Sequence, residues 1–130
     1  MAVAVCLETP TRFARYTISN GSAIAKGTLL KLVTPNTCDA TGADNDVAGG
    51  VAWMEKVASD GTTELVAALD GVWGIAGSGP ITIGQQLVVL GLNNLKPFTT
   101  LDDEKGYVFG RALETISGSA VMKVRLTCFN

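Results

Sequence analysis

Serine, threonine and cysteine side chains are frequent in this chain, but a nucleophile of that kind needs a base within hydrogen-bond reach, and the sequence contains no histidine. The remaining bases are lysines and carboxylates, and no motif sets one beside a nucleophile. There is no G-x-S-x-G elbow, no Walker A stretch and no metal-ligand cluster of recognisable spacing. Gly74-Ile-Ala-Gly-Ser-Gly79 has the glycine density of a phosphate loop, yet Pro80 removes a backbone donor and Ile81 opens a strand-like run instead of a helix. It reads as a turn between strands. Asp39, Asp44 and Asp46 offer oxygens to a hard cation, but Ala48 stands where a calcium loop needs its third oxygen ligand, which leaves solvated loop carboxylates. The expectation is a chain with no catalytic residue, no cofactor site, no metal site and no small-molecule substrate.

A last chemical candidate is Lys123 in Val121-Met-Lys-Val124, a Met-Lys pair of the kind modified in biotin and lipoyl carriers. Such a lysine must protrude from a tight turn between two half-domains, whereas Lys123 lies inside an alternating run, where an outward strand position accounts for its charge. Cys6, Cys38 and Cys128 are odd in number and form no C-x-x-C pair, so they read as reduced packing residues.

The elements that would hold any site are short strands. At 130 residues the chain suits one domain with a core of its own, and with 47% hydrophobic but only 6% aromatic residues that core is built from Val, Leu, Ile and Ala. Fifteen glycines mark frequent turns. The ten basic and twelve acidic residues are scattered, giving a net charge of −2 and no basic stripe, so nucleic acid is not expected as a partner. The apolar start is broken by Glu8 and Pro10 and has no basic residue ahead of it; it is too short for a secretory core or a membrane span, so synthesis and use in a cytosol-like compartment, or release by lysis, are expected.

Along the chain, residues 1–19 read as an N-terminal arm or edge strand and residues 20–130 as a single barrel-like domain. Strands are expected over residues 24–33, 81–90, 107–113 and 120–129. Residues 36–46 and the stretch from Gly91 to Asn94 read as exposed loop and turn, and Asp70-Gly71 as the turn of a hairpin within residues 62–75. Residues 47–58 would tolerate a helix, although Gly49-Gly50 argues against its first turn, and residues 100–105 could form a short capped one. The fold class expected is all-β: a compact small β-barrel or β-tulip-like domain with an extended N-terminal arm and at most one short helix.

An internal echo runs through the chain. Residues 25–32 match 82–90, each with a glycine before a Leu-rich strand; residues 48–55 match 108–114; and alternating runs follow at 64–73 and 120–129. Two similar β units would close into one barrel or sandwich and so remove exposed strand edges. Trp53 and Trp73, each inside an apolar run, belong to a core or to the margin of an interface. Val3, Val5 and Leu7, with Phe129 at the opposite end, are the better interface suspects, since chain ends seldom keep large apolar residues without docking them. Arg12 and Phe13 follow them in the same arm.

In order along the chain, Gly27-Thr-Leu-Leu-Lys-Leu32, Gly50-Val-Ala52, Leu69-Asp-Gly-Val-Trp-Gly74, Ile81-Thr-Ile-Gly-Gln-Gln-Leu87, Gly110-Arg-Ala-Leu-Glu114 and Val121-Met-Lys-Val-Arg-Leu126 resemble the capsid decoration, or cement, proteins of tailed phages. The resemblance covers residues 21–126 and leaves residues 1–19 unmatched. It implies a barrel or tulip domain on the outer surface of the virion, made in the host cytoplasm. It further implies a homotrimer whose arm lies across the major capsid protein, with no membrane partner. Among the residues above, Val3, Val5, Leu7, Arg12, Phe13, Trp53, Trp73 and Phe129 are the candidates for that contact. A tail, neck or glycan-binding module is the alternative.

Overall fold

A computed structural model describes residues 3–34, 36–44, 46–98 and 108–128. Among them there are eleven strands and no helix. They are β1 (Val5–Glu8), β2 (Phe13–Thr17), β3 (Leu29–Thr34), β4 (Thr37–Ala40), β5 (Ala48–Ala52), β6 (Glu64–Ala68), β7 (Val72–Gly77), β8 (Gln86–Val89), β9 (Asn94–Pro97), β10 (Gly110–Ala112) and β11 (Ala120–Leu126). The all-β class expected from composition and turn spacing is therefore the class observed, and residues 48–52 are strand, not helix. The candidate helix at 100–105 lies outside the described residues.

The internal echo is a structural repeat. β2 to β6 close into one barrel in the order β2-β4-β3-β5-β6, and β7 to β11 close into a second through the sheet order β7-β11-β10-β8-β9 and the additional pairing of β7 with β9. Each repeat contains the same pairings: a parallel contact of first and third strands, a hairpin of second and third, and antiparallel contacts of the others. Details coincide as well. The turn before the second strand holds Gly27 or Gly84, both at φ +92°, and the hairpin turns at Asn36 (φ 65°) or Asn93 (φ 55°). Gly50 pairs with Leu30 and Gly110 with Leu87, and a Cβ on either glycine would stand 2.5 Å from a carbonyl oxygen, of Ala68 or of Arg125. Only a residue without a side chain permits that approach of two backbones.

Three expectations need correction here. The units close separately, as two barrels instead of one. The hairpin at Asp70-Gly71 does not form either: β6 pairs with β2 and β5, β7 with β11, β9 and β1, and Asp70-Gly71 is the joint between barrels. Residues 37–40, read as part of a loop, are the strand β4, and Asn94, read as the end of a turn, opens the strand β9; the two strands complete each closure.

The barrels share a core. Along β3, β5 and β6 the two faces serve different purposes. Leu30, Ala52, Leu65 and Ala67 fill the first barrel, while Leu29, Val51 and Ala68 pack with Trp73, Leu87, Leu95, Phe109, Val124 and Leu126 of the second. A strand covered on both faces is apolar at consecutive positions, as Leu29-Leu30 and Val51-Ala52 are. A buried polar seam fixes the same junction: Leu29 N donates to Asn93 Oδ1 at 2.9 Å, Asn93 N to Thr41 Oγ1 at 3.2 Å, and Thr41 N to the Leu29 carbonyl at 3.0 Å. The first strand of the chain, β1, adds to the second barrel by pairing with β7.

Candidate interaction surface

Register decides which arm residues face solvent. Cys6 pairs with Trp73, and both pack on the shared core. Val5 lies opposite Gly74, which lies opposite Lys123, and because successive side chains alternate between faces, this row points outward. Val5 is 61% exposed, Leu7 51% and Val3, just ahead of the strand, 37%. A Cβ on Gly74 would stand 3.5 Å from Val121 Cγ1 and 3.9 Å from Leu7 Cδ1, so the bare backbone of β7 is flanked by two exposed apolar side chains. Val121 is 65% exposed and was not among the sequence candidates. Its signal was parity: Met122, Val124 and Leu126 are buried, which sends Val121 outward with Lys123 and Arg125.

The other candidates gather at the joint of the barrels. Phe13, 46% exposed, packs its ring 5.5 Å from that of half-buried Trp53, and Trp53 meets Trp73 edge-on at 6.0 Å. Trp73 itself is 1% exposed and donates Nε1–H to the Asp70 carbonyl at 3.1 Å. The three rings thus run from surface to core, and Lys26 Nζ stands 4.8 Å from the Trp53 ring as a cation–π cap. Lys26 has no sequence signal, because its place over Trp53 depends on the closure of the first barrel. Arg12 is exposed, and its backbone N–H donates to Asp70 Oδ1 at 3.0 Å. Phe129 lies outside the described residues.

Asp70 ties the arm to this joint. Its carboxylate also accepts from Thr11 N and Thr11 Oγ1, each at 2.7 Å. Burial pushes the Asp70 carboxyl up, but these hydrogen bonds and the nearby Arg12 outweigh it and hold the group below its ordinary value.

The remaining chemical candidates are occupied locally. Asp46 Oδ2 accepts from Gly42 N and Ala43 N, Asp39 Oδ1 from Ala40 N, and Asp44 lies 3.9 Å from Lys96 Nζ. Among the described residues no three His, Cys, Asp or Glu side chains stand close enough to hold a metal ion. Burial pushes the Cys38 thiol up to about 11 and, still more, the Cys128 thiol up to about 12; neither is a ready nucleophile near neutral pH. What the surface offers is apolar area, aromatic faces and an open strand edge. Compared with protein-family models and with curated proteins, the chain matches none.

Proposed function

We propose that this chain is a structural virion protein that binds the outer surface of a phage capsid and bridges neighbouring capsomers. The observation that carries this reading is the arm: β1 ends the six-stranded order, with no strand among the described residues on its outer side, and it presents Val3, Val5 and Leu7 to solvent. An edge strand with alternate apolar side chains is fitted for adding to a partner's sheet, through main-chain hydrogen bonds and side-chain burial. Completing the burial of each half-exposed side chain contributes on the order of 1 kcal/mol. The resemblance in motif order to phage cement proteins supplies the partner, a major capsid protein, and a trimeric arrangement. The mechanism is mechanical: a subunit that spans two capsomers adds contact area that must be lost before the shell opens, and many modest contacts act together.

The test is to incubate the purified protein with expanded, undecorated capsids of the phage that encodes it and to quantify what sediments. Saturable binding at a fixed copy number per capsomer is expected. No co-sedimentation would end this reading. The exposed Phe13 ring beside half-buried Trp53 and Lys26 favours a second, a glycan-binding virion module, since sugar rings stack on aromatic faces. Binding on a glycan array that is lost in Trp53→Ala, together with failure to sediment, would establish it instead.

A further inference from the structure

The outer face of the second barrel holds an arrangement that folding alone does not favour. Arg111 of β10 lies directly opposite Arg125 of β11, and Arg125 is two residues from Lys123 on the same outward parity. All three are exposed, and among the described residues none forms an ion pair. Like charges directly opposite on neighbouring strands repel. The nearest acidic group by bonding, Glu114, has Oε1 engaged by the Lys123 backbone N–H at 2.7 Å, and Glu8 lies across β7, opposite Val72. On a chain of net charge −2, three cations on one sheet face form a local field of sign opposite to the whole. The same face continues through Val121 to Leu7 and Val5, its exposed apolar margin.

We infer that this face, Arg111, Arg125 and Lys123 bordered by Val121, Leu7 and Val5, docks on an acidic patch of the partner protein. The inference rests on the capsid reading and deepens it by giving the chemistry of the contact: carboxylates opposite the cation row, apolar side chains opposite the margin. Repulsion between Arg111 and Arg125 is relieved when a carboxylate enters between them, so the pair is costly in the free chain and useful in the complex. A phosphate backbone would also meet the cations, but it has nothing to place against Val121 and Leu7, and the net negative charge opposes it.

The experiment compares wild type, Arg125→Glu and Arg111→Glu for sedimentation with expanded capsids, for retention of a short DNA duplex and for thermal unfolding. Either substitution creates an opposite-charge cross-strand pair, so the midpoint is expected to rise or hold while capsid affinity falls at least about tenfold. Added salt should release the wild type more steeply than either variant. Gain of stability with loss of binding cannot come from misfolding. If wild type sediments and both variants sediment equally well, the inference is overturned and the capsid reading stands. If wild type retains DNA and the variants lose it while capsid binding is unchanged, the face serves nucleic acid and the inference is again overturned. If wild type fails to sediment, both readings fall.

Discussion

Lys56 shows how differently the two repeats use one position. Its backbone bridges Ile24 as that of Ile116 bridges Ile81, yet in the first repeat this place holds a buried ammonium and in the second an apolar side chain. Lys56 Nζ donates to the carbonyls of Asn20 at 2.8 Å and Val57 at 3.1 Å and to Asp60 Oδ1 at 3.3 Å, so all three of its protons have acceptors. Lys56→Met would keep the stem but take the ammonium from the Val57 carbonyl and from that of Asn20, which keeps the Ser59 N–H, with a loss of about 1–3 kcal/mol in urea unfolding. Asp70 makes a pH-dependent contribution. A carboxyl held below its ordinary value stabilises fully above the unfolded-state pKa, near 4, and that contribution is lost as pH falls through the lower folded value. Asp70→Asn has no such charge to lose, so its stability should be lower than wild type near neutral pH and decline less steeply below about pH 4. Asp60, held low chiefly by the Thr62 N–H and also by Lys56 and Val57, leaves a residual slope in that variant. Curves of equal slope for the two proteins would remove Asp70 from the account.

At the scale of elements, what could be read from sequence was local and periodic. The alternation of 120–126, the glycines at 27 and 84 and the Leu-rich strands after them were legible because period and turn chemistry act within a few residues. β4 and β9 were not. Each buries one side chain, Cys38 or Leu95, among residues that read as turn formers, and they are strands because the hairpin and the closing parallel contact hold them. The Asp70-Gly71 joint misled for a related reason: its local signal is that of a hairpin, but β6 has partners on both edges within its own barrel. The Phe13–Trp53–Trp73 stack, made of residues from β2, β7 and the end of β5, was invisible because only closure brings them together. β1 lies outside both closures, so deleting residues 1–9 should leave a folded chain. Losing the β1–β7 ladder and buried Ala4 should cost about 3 kcal/mol, read as an earlier urea midpoint, and should abolish capsid binding. A truncated chain that is unfolded would show that the arm belongs to the core.

For the whole molecule, two barrels do not mean two independent units. The core cluster that contains Trp73 and Phe109 also contains Leu29, Val51 and Ala68, and the Asn93–Thr41–Leu29 seam crosses the same junction. Separating the barrels would expose one face of three first-barrel strands and orphan buried polar groups. Calorimetry should therefore record one transition, with calorimetric and van't Hoff enthalpies equal. Two resolved transitions would mean that the junction is weaker than its packing indicates.

The path of the chain also sets an order in time. Residues 13–68 form the first barrel and are complete before β7 has been synthesised, yet β1, made ahead of all of them, has its strand partner among the described residues in β7, and Ala4 just before it bonds to Gly27. Of the eleven described strands, the first to be synthesised is thus among the later ones to be placed. Domains fold largely as their segments emerge, so for that interval Val3, Val5 and Leu7 travel on an unpaired strand. Pulse-labelling hydrogen exchange during refolding would see it as late protection of β1 amides relative to those of β2 to β6. A newborn chain therefore carries an apolar strand unguarded, and crowding by neighbouring nascent copies is when that segment is most apt to pair wrongly.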